Sequence, residues 1–119
     1  MAIILIILTL IVSCGSETVK VYDPIEEKTI DIYEESYGKC GKDLNFIKSD
    51  WFMVCDYSKI ASGCCYNYKT RCDIHYYVRD YCDTLKTILH ELYHCCQDVI
   101  SHGSWTNEVK QLAYSNCYD

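Results

Sequence analysis

Ten cysteines in a chain of 119 residues restrict this sequence more than any other feature. A chain this long builds one small domain with a thin core, the situation in which covalent staples matter most. No two of the cysteines stand in a C-x-x-C spacing, so a zinc ribbon or finger does not fit. An almost unbroken apolar run from Met1 to Val12 points to export. It falls short of the roughly 20 residues of a spanning helix and suits the core of a signal peptide. An exported chain meets an oxidising compartment, where such cysteines pair into a disulfide framework.

The run ends in Ile11-Val12-Ser13-Cys14, which resembles a bacterial lipobox. That resemblance implies a signal peptide over 1–13, a lipidated Cys14 with a tether over 14–20, and a folded domain over 21–119. The protein is then extracytoplasmic and held to the membrane by the lipid on Cys14. Ordinary cleavage near Gly15, giving a secreted protein, is the alternative. With Cys14 set aside nine cysteines remain, so at most four bridges form and one thiol is left over. The formal charge of −6 offers no basic patch, which argues against nucleic acid as a partner.

Local signals sketch an α+β domain. Asp23-Pro24-Ile25-Glu26 starts a helix by several rules at once: a capping Asp, Pro at the first helical position and Glu three residues after the cap. Gly38 offers its stop, so the expected helix runs from Pro24 to Tyr37. Leu44 to Ile47 and Trp51 to Val54 read as a hairpin or two sheet strands, and Ala61-Ser62-Gly63 as a loop. Cys72, Ile74, Tyr76 and Val78 alternate with Asp73, His75 and Tyr77, the period of a half-buried strand over Thr70 to Arg79. The sheet is expected to be short and mostly antiparallel. A helix capped by Asp83 follows and ends at Ser101-His102-Gly103-Ser104. A last helix spans Trp105 to Cys117, with Val109, Leu112 and Ala113 inward.

The helix after Asp83 carries His90-Glu91-Leu92-Tyr93-His94. Two histidines four apart lie on one face, where one metal ion can take both imidazoles. At about 100° per residue, Leu85, Ile88, Leu89, Leu92, Cys95, Cys96, Val99 and Ile100 form the opposite, apolar stripe. The histidines therefore face a cleft, and Cys95 and Cys96 are expected to staple or pack the buried side.

This pentad and its uncharged flanks, Thr87-Ile88-Leu89 before and Cys95-Cys96 after, resemble the HExxH signature of the zincin metallopeptidases. The resemblance implies Zn²⁺ on His90 and His94, with Glu91 as general base for hydrolysis of a peptide or protein substrate. A catalytic zinc takes a third protein ligand. Gln97 and Ile100 occupy the positions where metzincins place Gly and His, which excludes that branch. Glu108, preceded by Asn107 on the next helix, is similar to the gluzincin arrangement. His102, in the turn, is the alternative third ligand. Tyr114, Tyr118 and His102 are candidate oxyanion donors, and Gln97 or Asp98 could orient a ligand histidine. The strand over Thr70 to Arg79 would hold extended substrate at its edge, with His75 and Tyr76 toward the cleft. Two other readings keep the same residues: a non-enzymatic disulfide-rich surface lipoprotein or binding module, and a zinc-binding protein that needs His90 and His94 but not Glu91.

Overall fold

The structure is a computed structural model that describes residues 20–51, 53–55 and 59–117. The signal peptide, Cys14 and most of the tether, like Tyr118, lie outside the described residues. The chain runs α1 (Pro24–Tyr37), β1 (Asp43–Ser49), β2 (Met53–Cys55), β3 (Lys59–Ala61), β4 (Gly63–Asn67), β5 (Arg71–Tyr77), α2 (Tyr81–Cys96) and α3 (Trp105–Cys117). It is an α+β domain. Among the described residues no helix is long and apolar enough to cross a membrane.

Helix α1 has the limits its local signals predict. The Glu26 carboxylate accepts the Asp23 N–H at 3.0 Å, which closes the first turn. Gly38 ends the helix at φ 87°, a conformation only glycine adopts freely, and donates its N–H to the Glu34 carbonyl. Glu26 also accepts the Tyr76 hydroxyl at 2.6 Å, so one buried carboxylate caps the helix and ties it to β5. Tyr76 is therefore a core residue rather than a cleft residue. Burial first and Glu26 second push its phenol above the ordinary tyrosine range.

The main sheet has the order β1-β5-β4. Strand β5 lies in the middle, parallel to β1 and antiparallel to β4, so the sheet is mixed. The parallel pair departs from the mostly antiparallel sheet expected. The chain leaves β1, passes through β2, β3 and β4, and returns beside β1 in the original direction. Strands β1 and β2 form no hairpin with each other, because β2 pairs with β3 in a separate antiparallel ribbon. Ala61-Ser62-Gly63 is the junction of two strands, not a free loop. The alternation along β5 holds for Cys72, Ile74 and Tyr76, all fully buried, but the strand ends at Tyr77 and Val78 is exposed.

Helix α2 is the hub of the domain, touching α1, α3, β4 and β5. Its cap is Asp80, whose carboxylate accepts the Asp83 N–H at 2.9 Å, so the helix starts before the Asp83 expected to cap it. Leu85, Ile88, Leu89, Leu92 and Cys95 form the buried stripe. Losing a Leu from such a stripe costs about 2–5 kcal/mol. The helix stops at Cys96, earlier than expected, and Asp98 takes a left-handed φ of 53°. Val99 and Ile100 thus leave the stripe, and Ile100 is 95 % exposed.

Three disulfides anchor α2. Cys40–Cys96 ties its end to the segment after α1, Cys72–Cys95 its last turn to β5, and Cys82–Cys117 its start to the end of α3. Each contributes about 2–4 kcal/mol. Cys64 is also disulfide-bonded, and Cys65 is the free thiol among the described residues. The Lys42 ammonium adds a polar knot, donating to Asn67 Oδ1, the Cys95 carbonyl and Asp98 Oδ1. It satisfies a carbonyl at the helix end and fixes the end of β4 beside it.

Candidate metal centre and cleft

The face of α2 opposite its apolar stripe carries His90 and His94 one turn apart. The early stop at Cys96 sends 97–104 back across this face and delivers His102. The three Nε2 atoms lie 3.2 Å (His90–His94), 3.2 Å (His90–His102) and 3.1 Å (His94–His102) apart. One proton can bridge only one edge of that triangle, whereas a cation can accept all three lone pairs. Three nitrogens on a tetrahedral ion at zinc–imidazole bond lengths stand about 3.4 Å apart. The donor set therefore fits a metal ion, and the triangle leaves a fourth direction to the cleft.

The surroundings hold these imidazoles in place and leave them able to act as ligands. His94 donates from Nδ1 to the Val99 carbonyl at 2.5 Å, which leaves its Nε2 lone pair for a metal. Trp105, the first residue of α3, stacks on Tyr93 at 4.3 Å between ring centroids and meets His94 at 4.8 Å and His90 at 5.0 Å. Burial, then His94, His102 and the Lys86 ammonium, lower the His90 imidazolium to about 4, so His90 is neutral at ordinary pH.

Glu91 lines the same cleft, which has a volume of about 910 Å³. Burial pushes its carboxyl up to about 7. Across from it stands β4. A methyl group built on Gly63 would meet Thr87 Cγ2 at 2.6 Å and Glu91 Oε2 at 3.2 Å. Only glycine lets the strand approach this closely. Strand β4 runs from Gly63, against Thr87 and Glu91, to Asn67, whose amide donates to Asp98 at 2.8 Å. It is an edge of the main sheet and a wall of the cleft.

Several sequence candidates fall elsewhere. Glu108 stands apart from the imidazole cluster and accepts the Tyr37 hydroxyl at 3.2 Å. Its position about 200° around α3 from Thr106, which does line the cleft, accounts for this. Burial and Glu108 together push the Tyr37 phenol up to about 12. The Tyr114 ring lies 5.8 Å from the Lys86 ammonium and 5.9 Å from that of Lys110. Gln97 donates to Tyr33 at 2.7 Å, and Asp98 belongs to the Lys42 knot. Neither is bonded to a histidine of the cluster; the Val99 backbone carbonyl is. His75 packs on Tyr66 away from the cluster, and the cleft edge is β4, not the central β5. Gly63, Trp105 and the Val99 carbonyl escaped sequence reasoning. Of these, only the glycine ahead of the Cys64-Cys65 pair carried a signal, as a residue that permits close approach.

A second group of potential ligands, Cys65 at the cleft wall with the buried Cys72 and Cys95, has its sulfurs within 4.8 Å of one another. Two of the three are joined as a disulfide. Burial first and Glu91 second push the Cys65 thiol up to about 12. No protein-family model matches this chain, and neither do curated proteins or solved structures.

Proposed function

We infer that the chain is an exported zinc-dependent peptidase whose metal ligands are His90, His94 and His102, with Glu91 as general base. The observation that carries this reading is the convergence of three imidazole Nε2 atoms beside a buried carboxyl in one open cleft. His102 takes the role for which Glu108 is the sequence's other candidate.

A zinc ion held there supplies Lewis acidity and makes a nearby water more acidic. The chain's own groups do the rest. Glu91, already poised near neutrality, removes a proton from the attacking water and returns it to the leaving amine. The Val99 carbonyl keeps His94 in the ligand tautomer. The edge of β4 offers main-chain groups to an extended peptide, which aligns the scissile bond along the cleft. The bridges of the framework fit an oxidising compartment, in line with export and with anchoring through a lipid on Cys14.

The test uses the oxidised chain, its zinc content and its hydrolysis of a peptide library, with and without Glu91→Gln. A full zinc load with hydrolysis lost in the variant supports the peptidase. Zinc bound without hydrolysis by the parent makes the protein a metal-binding module. No zinc in the parent sinks both.

A further inference from the structure

The cleft runs against the charge of the molecule that contains it. The chain holds 17 acidic residues against 11 Lys and Arg. Among the described residues lining the cleft, however, the only carboxylate is Glu91, while Lys86 and Lys110 both contribute ammonium groups. Three lysines elsewhere sit against a carboxylate: Lys20 reaches Asp43 and Lys42 reaches Asp98, each at 2.5 Å, and Lys48 pairs with Asp23. The cleft lysines are not held so closely. The Lys86 ion pair is a long 3.9 Å contact with Asp83, a carboxylate shared with Arg79. Among the described residues Lys110 makes no ion pair; its ammonium lies over the Tyr114 ring, as does that of Lys86. One ring thus holds two cations in a common neighbourhood, offering them a cation–π contact but no countercharge.

The position of the pair gives it a use. Lys86 precedes His90 by four residues, so the two share a helix face about 6 Å apart along the axis. The Gly63 end of β4 lies at the same end of the cleft, against Thr87 and Glu91. An extended peptide advances about 3.4 Å per residue. A group held by the lysines therefore sits about two residues from a carbonyl placed at the imidazole cluster.

We propose that Lys86 and Lys110 form a carboxylate-binding subsite, so that the cleft selects peptides bearing a carboxylate about two residues from the bond at the metal centre. This rests on the peptidase reading for its meaning, but not for its test. The carboxylate comes either from an acidic side chain or from a free C-terminus.

Binding is measured by calorimetry on the zinc-loaded, oxidised chain carrying Glu91→Gln, so that nothing is turned over. The probes are acetyl-tetraalanine with a free C-terminus, its C-terminal amide, and that amide with Asp at each position in turn. At least one carboxylate probe is expected to bind tenfold or more tightly than the plain amide, with an advantage that shrinks as salt is raised. An advantage for the free acid assigns the terminus, and one for an Asp probe assigns a side chain. Lys86→Met with Lys110→Met brings acid and amide within about twofold, and Lys86→Glu reverses the order. Lys86→Arg with Lys110→Arg keeps the preference and controls for damage to the fold. Equal binding of all probes, or none, overturns the proposal. So does a preference that survives the double Met change, which would assign the carboxylate to the metal itself. A lysine-dependent preference in a parent chain that hydrolyses nothing keeps the subsite and removes the peptidase.

Discussion

Two triads of metal-capable side chains lie about helix α2. Cys65, Cys72 and Cys95 make up one, with Cys65 at the cleft wall and the other two buried, and His90, His94 and His102 make up the other, each group with its ligand atoms within 4.8 Å. His94 and Cys95 are consecutive, and about 100° of helical rotation sends them to different fates. On the cysteine side a covalent bond uses two sulfurs, and burial keeps the third as a thiol. On the histidine side the imidazoles are half-buried or exposed, with their lone pairs aimed at a common point. Ligand count is equal, so it decides nothing. Whether a triad takes a metal is set by whether its donors can be unprotonated and unbonded where they stand.

The strongest way to break this comparison is to remove a member of the open triad. His102→Ala should lower zinc affinity by more than about 100-fold, since even the loss of a partner behind a ligand costs 10–100-fold. Glu108→Gln should leave affinity within about twofold, the ordinary range of a surface change. Chelator competition measures both, and the reverse order would reinstate Glu108 as ligand.

The closed triad should fail differently. Cys72→Ala combined with Cys95→Ala should cost about 2–5 kcal/mol in urea unfolding, with the stoichiometry kept at one zinc per chain. Two zinc ions on the oxidised parent would show that the cysteine side is open as well.

Gly63 sharpens the comparison from across the cleft. Gly63→Ala pushes a methyl group against Thr87 and Glu91, which supply its three nearest atoms. Hydrolysis should fall about tenfold or more, as small misplacements at a catalytic group do, while zinc affinity stays within about twofold. A parallel loss of both would make Gly63 a fold residue only.

The smallest expected effect is a proton. In the metal-free chain burial holds Glu91 near 7, so at pH 7 about half the molecules carry its proton. A nearby dication favours the carboxylate, so zinc binding releases that proton and affinity rises with pH through this region. Calorimetry in buffers of different ionisation enthalpy should find about half a proton more for the parent than for Glu91→Gln. Identical proton counts would remove Glu91 from the neighbourhood of the metal.

Much of the architecture was legible because its causes are local. Asp23, Pro24, Glu26 and Gly38 bound α1 through contacts within a turn of each end, and the period of two in β5 needs only its own side chains. The stripe of α2 placed its histidines outward before any partner was known. What the sequence hid depends on partners distant along the chain. Strand β5 is central because it returns beside β1 while still pairing with β4, and nothing in Thr70 to Arg79 encodes that. That His102 rather than Glu108 stands beside His90 and His94 follows from where α2 stops, and that stop rests on the left-handed Asp98 and the Lys42 knot. The group that orients His94 is a backbone carbonyl, which has no letter in a sequence.

Trp105 gives the centre an optical handle. The chain has two tryptophans: Trp51 is 71 % exposed, whereas the Trp105 indole lies against His90, His94 and Tyr93. Emission from Trp51 reports bulk water and stays constant as the cleft fills. Emission from Trp105 answers to the charge and mobility of the rings it touches. The intrinsic fluorescence of the unlabelled protein thereby becomes a gauge of whether the imidazoles are protonated, free or engaged.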